Sequence, residues 1–264
     1  MRLSMTQVKR FARCPYSYYL YYKEGIKIGG GINLVVGKAI HKGFEIAIKS
    51  IKTLGSFNMN EVEGGIYNEF YNLIEKGEHG DATEEQIDEG KKRLEIGLEA
   101  FNIYKFPQQR DIIAVEERFI SPDLIKNNEI VGYPDLITVD AVIDFKTKFR
   151  TPSEVDKGDF FQVGYYATFG NSDKAILVYV VLLKRGVKII EREFVGKELE
   201  QAKTLAKHVL QTVDTGIKEA EISGIWIPSG FATGVCSWCE YAKHGLCEYG
   251  CGGKIPLKQG GNYE

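Results

Sequence analysis

The chain of 264 residues can bury a full hydrophobic core. With 44% hydrophobic and 27% charged residues, it contains no apolar run near the roughly 20 residues that cross a bilayer, so no membrane anchor is expected. A net charge of -2 and a pI near 6.2 leave no global cationic footprint of a nucleic-acid partner, so any such binding must be local. Early charges and the lack of a secretory apolar stretch make the cytoplasm the expected compartment.

One elaborated domain is expected, with a helical region over 1–110, a core over 111–195 and a C-terminal helix with a Cys-rich tail over 196–264. Ser4 is a candidate N-cap for a first helix with Val8, Phe11 and Ala12 on one face, and Tyr16 to Tyr22 extends it. Residues 1–27 hold six Lys or Arg against one Glu and form the better candidate for a phosphate-facing surface; 75–99 hold nine acidic residues against four basic ones. After the Gly29-Gly30-Gly31 break, helical spacing runs from Gly37 to Ile51 and puts His41 and Glu45 on one face. Further helices are predicted over about 61–76 and 86–104, the last ended by Pro107.

From Asp111 the period becomes two. Strands are predicted over 112–120, 130–139, 141–148, 175–183 and 188–194, interrupted by a helix over 157–169 and followed by one over 196–222. The pattern is α/β, a mixed central sheet with a crossover helix. Gly31 to Lys38 resembles a phosphate-binding loop only superficially. Five residues rather than four separate Gly31 from Gly37, and Ala39 replaces the hydroxyl residue, so an ATPase is excluded.

The sharpest signal is Gly132-Tyr133-Pro134-Asp135, followed after eight residues by Asp144-Phe145-Lys146. Alternation sends Asp144 and Lys146 to one side of a strand and Phe145 to the core. A short link through Asp140 would fold Asp135 back beside Asp144 as a hairpin. Two carboxylates suit Mg²⁺ or Mn²⁺, which polarise a phosphodiester and acidify water, while a lysine orients that water and offsets charge on the phosphate. Taken alone, the same triplet also fits a cross-strand surface pair and a turn residue. The cysteines form a second constellation. Cys236, Cys239 and Cys247 have ligand-like spacing, Cys14 stands alone before Pro15, and Cys251 is an additional candidate. Four thiolates would also satisfy a structural Zn²⁺.

On these motifs the chain resembles the PD-(D/E)XK nuclease superfamily, and within it the RecB-like branch. The branch's upstream His fits His41, its Glu on the preceding strand fits Glu116, and its Gln-x-x-x-Tyr helix fits Gln162 to Tyr166. The resemblance implies a restriction-endonuclease-like fold. It implies His41, Asp135, Asp144 and the Phe145 backbone carbonyl as metal ligands, Lys146 as the catalytic lysine with Glu116 beside it, and Gln162 and Tyr166 as residues that contact or position nucleic acid.

The start of the chain, through Cys14-Pro15-Tyr16, is similar to that of AddB-type subunits and of the CRISPR-associated RecB-like exonucleases of the fourth Cas family. These use one N-terminal and three C-terminal Cys for a [4Fe-4S] cluster, which implies Cys14, Cys236, Cys239 and Cys247 here. Seven residues between Cys239 and Cys247, where about five are common, leave the fourth ligand open between Cys247 and Cys251. The implied activity is hydrolysis of DNA on single strands or duplex ends, with a 5′-phosphate product and 5′ to 3′ polarity, in a prokaryotic, archaeal or viral setting. Alternatives are an end-trimming or endonucleolytic subunit of a recombination or CRISPR-adaptation complex, or a non-catalytic DNA-binding scaffold. Protein partners and an oligomer are compatible with each.

Overall fold

Alternation along Val142–Lys148 produces the middle strand of the larger sheet in the computed structural model, which describes residues 2–121, 125–228, 236, 239–247 and 249. Contacts divide the chain into two compact units, Met1–Met5 with Gly29–Thr215, and Thr6–Ile28 with Gly216–Glu264.

In the first unit, β2 (Ile112–Val115), β5 (Leu136–Thr138), β6 (Val142–Lys148), β7 (Lys174–Leu183) and β8 (Gly186–Val195) form a mixed sheet in the order β2-β5-β6-β7-β8. β6 and β7 run parallel, joined by the crossover helix α7 (Lys157–Phe169), and the other neighbours are antiparallel. The expected α/β architecture with a mixed sheet and flanking helices is therefore present. The two faces of β6 and β7 bury different layers. Ile143, Phe145, Val178, Val180 and Leu182 pack with α3 (Ile32–Leu54), α4 (Met59–Glu75) and α5 (Glu84–Leu98). Leu177, Tyr179 and Val181 instead join Val163 and Ala167 of α7 and Leu199 and Ala202 of α8 (Gly196–Ser223). The α7–α8 approach is close enough to require glycine, because a Cβ on Gly164 would lie 2.0 Å from the Ala202 carbonyl oxygen.

Several expected boundaries move. Ser4 directly precedes the first helix. It ends β1 (Arg2–Ser4), which pairs parallel with β4 (Glu129–Gly132) in a second sheet of order β1-β4-β3, where β3 is Phe119–Ser121. Helix α1 (Met5–Arg13) stops at extended Cys14, and Pro15 then opens a separate α2 (Pro15–Tyr22) instead of extending the first helix. The predicted strand 112–120 divides at Glu116, whose φ of 51° breaks the pleat, so β2 and β3 belong to different sheets. The predicted strand 130–139 divides likewise into β4 and β5, with Tyr133 to Asp135 between them. Helix α3 begins five residues before Gly37, because Ile32, Val35 and Val36 continue its apolar stripe.

The second unit is aromatic. Trp226 stacks on Tyr18 and Tyr19 with ring centroids 5.8 and 5.5 Å apart, and Phe11 meets Trp226 edge-on. The Tyr241 hydroxyl donates to the Ile26 carbonyl at 2.7 Å, and Lys23 pairs with Glu221. Among the described residues no helix is long and apolar enough to cross a membrane.

Candidate metal centre and cysteine cavity

The centre is built where β2 ends and the β5–β6 hairpin begins. Val115 closes β2, and Glu116 then turns into the left-handed region while its N–H donates to the Asp135 carbonyl at 3.2 Å. That conformation costs a non-glycine residue about 1–2 kcal/mol, and here it aims the Glu116 carboxylate at His41 Nδ1, 3.4 Å away. Asp135 accepts the Phe145 N–H at 2.6 Å and lies 2.8 Å from His41 Nε2. The expected return of Asp135 beside β6 is thus realised through a hairpin that registers Leu136 with Ile143. His41 projects from α3, whose Phe44 stacks on Phe145 at 4.5 Å and fixes the helix against the strand.

Ligand atoms of His41, Glu116 and Asp135 all lie within 4.8 Å of one another. An imidazole and two carboxylates are a donor set suited to a divalent cation such as Mn²⁺ or Mg²⁺. Asp144, the other expected carboxylate ligand, is buried and turned to different partners. Its Oδ2 lies 2.5 Å from Lys146 Nζ, and its Oδ1 accepts from Gln162 Nε2 at 2.8 Å. Phe145 contributes its N–H to Asp135 and its ring to the core, as the alternation predicts.

Charges in the centre nearly balance. Burial draws the His41 pKa down, but Asp135 and then Glu116 outweigh it and raise it to about 9. Asp135, raised by burial, is brought below the ordinary carboxylate range by His41, Lys146 and the Phe145 N–H. Burial, followed by the charge of Asp135, raises Glu116 to about 7. Burial opposes the charge on Lys146, yet Asp144, Asp135 and Asp159 hold it above the usual lysine value, so it is a fixed cation at neutral pH. Gln162 and Tyr166 are both buried on α7. Burial and the charge of Asp144 raise the Tyr166 phenol well above its ordinary value. Gln162 grips Asp144 through its side-chain amide.

A group that the sequence motifs did not single out continues the same face. Asp159, in the first turn of α7 and 6% exposed, lies 2.8 Å from Lys148 Nζ and accepts from the Tyr179 hydroxyl at 3.3 Å. The signal for Lys148 was present in its even spacing from Asp144 and Lys146. Asp159 gave none, because its partners lie eleven and twenty residues away.

In the second unit, Cys14, Cys236, Cys239 and Cys247 line one cavity with Tyr16, Leu20 and other apolar groups, and these four form no disulfide. Cys251, the other candidate for the fourth thiolate, lies outside the described residues.

A family model of the PD-(D/E)XK nuclease superfamily matches residues 2–245, and the chain belongs to that superfamily. Among solved structures, a protein from Eubacterium rectale assigned as an exonuclease is 12% identical, with a TM-score of 0.56 over 92% of this chain and 87% of its own. At that identity the likeness shows a shared fold. SSO0001 is 15% identical over 94% of this chain and 86% of its own, with a TM-score of 0.41. A phage-related exonuclease from Haemophilus somnus 129PT is 14% identical over 83% and 96%, with a TM-score of 0.32. No curated protein sequence matches the chain.

Proposed function

We propose that the chain is a divalent-cation-dependent deoxyribonuclease of the RecB-like branch, acting as an exonuclease on single strands or duplex ends with 5′ to 3′ polarity. The observation that carries this is the buried convergence of Asp135 on both His41 and the Phe145 N–H, with Lys146 held protonated beside Asp144. His41, Glu116 and Asp135 fit Mg²⁺ or Mn²⁺ as a preformed donor set, and Asp144 and the Phe145 carbonyl would complete it. A cation bound there supplies Lewis acidity toward a phosphodiester and makes water a stronger acid. The chain's own residues do the rest. Lys146 offsets negative charge growing on the phosphate, and Gln162 holds Asp144 in place, with Tyr166 buried one helical turn further along α7.

Cys14, Cys236, Cys239 and Cys247 would hold a [4Fe-4S] cluster whose role is structural; their donor set fits four thiolate ligands, and structural Zn²⁺ is the competing occupant. Elemental analysis of protein purified without oxygen separates these, with iron and acid-labile sulfide expected and stoichiometric zinc contradicting the cluster.

End-labelled oligonucleotides and a closed circular plasmid, incubated with Mg²⁺ or Mn²⁺, test the activity. The proposal expects the linear strands to shorten progressively from the 5′ end while the circle stays intact. Nicking of the circle would make the enzyme an endonuclease, and an unchanged linear strand would remove the nuclease assignment.

A further inference from the structure

The polar face of β6 does not end at Lys146. Because side chains alternate, Asp144, Lys146 and Lys148 form one row, each about 6.6 Å from the next along the strand. Side-chain exposure rises along it from 3% to 20% to 31%, so the row leads from the buried centre to the surface. A strand repeat of that size is comparable to the separation of neighbouring phosphates on a nucleic-acid strand. Lys148 is also held rather than loose. Its Nζ lies 2.8 Å from the buried carboxylate of Asp159, which Tyr179 supports from β7, and the ammonium sits 5.3 Å from the Tyr179 ring centroid. A lysine tethered by a buried acid and an aromatic ring loses less side-chain entropy on meeting a ligand than a free one.

We propose that Lys148 binds the backbone phosphate next to the scissile one, with Asp159 as the positioning residue that fixes its ammonium. This rests on the nuclease activity proposed above. A neighbouring phosphate anchored one strand repeat from Lys146 sets which bond of the strand reaches the centre. It also supplies affinity for nucleic acid that the chain's net charge of -2 does not.

Steady-state cleavage of a single-stranded oligonucleotide, measured across a series of salt concentrations, tests it with Lys148→Gln, Lys148→Arg and Asp159→Asn. Loss of one charge-assisted contact is expected to raise KM about tenfold in Lys148→Gln at low salt. The slope of log(kcat/KM) against log salt becomes shallower by about 0.7, the value for one phosphate contact on a single strand. Lys148→Arg restores that slope. Asp159→Asn raises KM but keeps the slope, since the lysine charge remains. If wild-type protein cleaves and Lys148→Gln keeps both KM and salt slope, the inference is overturned and the nuclease assignment stands. A Lys148→Gln KM that rises with an unchanged slope also overturns it, by making the residue structural. If wild-type protein does not cleave, both fall together.

Discussion

Cation binding at the His41, Glu116 and Asp135 group should be driven by pH, because two of its ligands carry protons that must leave. In the cation-free chain His41 is raised to about 9 by Asp135 and Glu116 against the effect of burial, and Glu116 is raised to about 7 by burial and Asp135. Both groups bind a cation only when deprotonated. The sign is therefore fixed: affinity rises with pH. Between pH 7 and 9 the His41 proton alone opposes the cation, so Mn²⁺ affinity should rise about tenfold per pH unit and level off above 9. Below pH 7 the Glu116 proton adds to it, and the dependence steepens toward about a hundredfold per unit. Titration calorimetry in buffers of different ionisation heat counts the protons directly, with about one released at pH 8 and nearly two at pH 6. Glu116→Gln should remove the extra proton at pH 6 while leaving the one at pH 8. Affinity that is flat from pH 6 to 9, or a proton count indifferent to Glu116→Gln, would refute the account of how these ligands are poised.

Gly164→Ala and Gly64→Ala form a matched pair. A Cβ at Gly164 would meet the Ala202 carbonyl oxygen at 2.0 Å, so α7 must move outward and stability should fall by about 1–3 kcal/mol despite the better helix propensity of Ala. The same change at exposed Gly64, where nothing lies within 4 Å, should stabilise by about 0.5–1 kcal/mol, both read from urea midpoints. Phe44→Ala removes a fully buried ring stacked on Phe145 and packed on Phe101, and should cost about 3–5 kcal/mol in the same assay. A loss below about 1 kcal/mol would mean that α3 is not seated on β6 through this ring.

The centre was more legible in the sequence than the boundaries around it. Asp144, Phe145 and Lys146 declared themselves through strict alternation after the apolar Val142-Ile143, and the β5–β6 hairpin followed from the short segment that joins them. Local periodicity could not show that Glu116 leaves the pleat, because a carboxylate inside a β-like run gives no sign of a positive φ. The same limit hid the switch of β4 and β5 between sheets. Three-residue β1 is too short to show a period, and its partner lies more than a hundred residues away. Asp144's partners illustrate the other boundary of sequence inference. Lys146 two residues along was visible as a neighbour, whereas the Gln162 amide reaches it only because α7 folds back over β6. Asp159 is silent for the same reason, since it acquires Lys148 and Tyr179 only once the crossover is made.

Digestion of end-labelled single-stranded DNA in Mn²⁺ or Mg²⁺ by wild-type protein, Asp144→Asn and Lys146→Gln tests the central claim most directly. Wild-type protein should shorten the strand, and each variant should lose cleavage about a hundredfold or more while keeping its fold. Undiminished cleavage in both folded variants would show that the chemistry lies elsewhere on the chain.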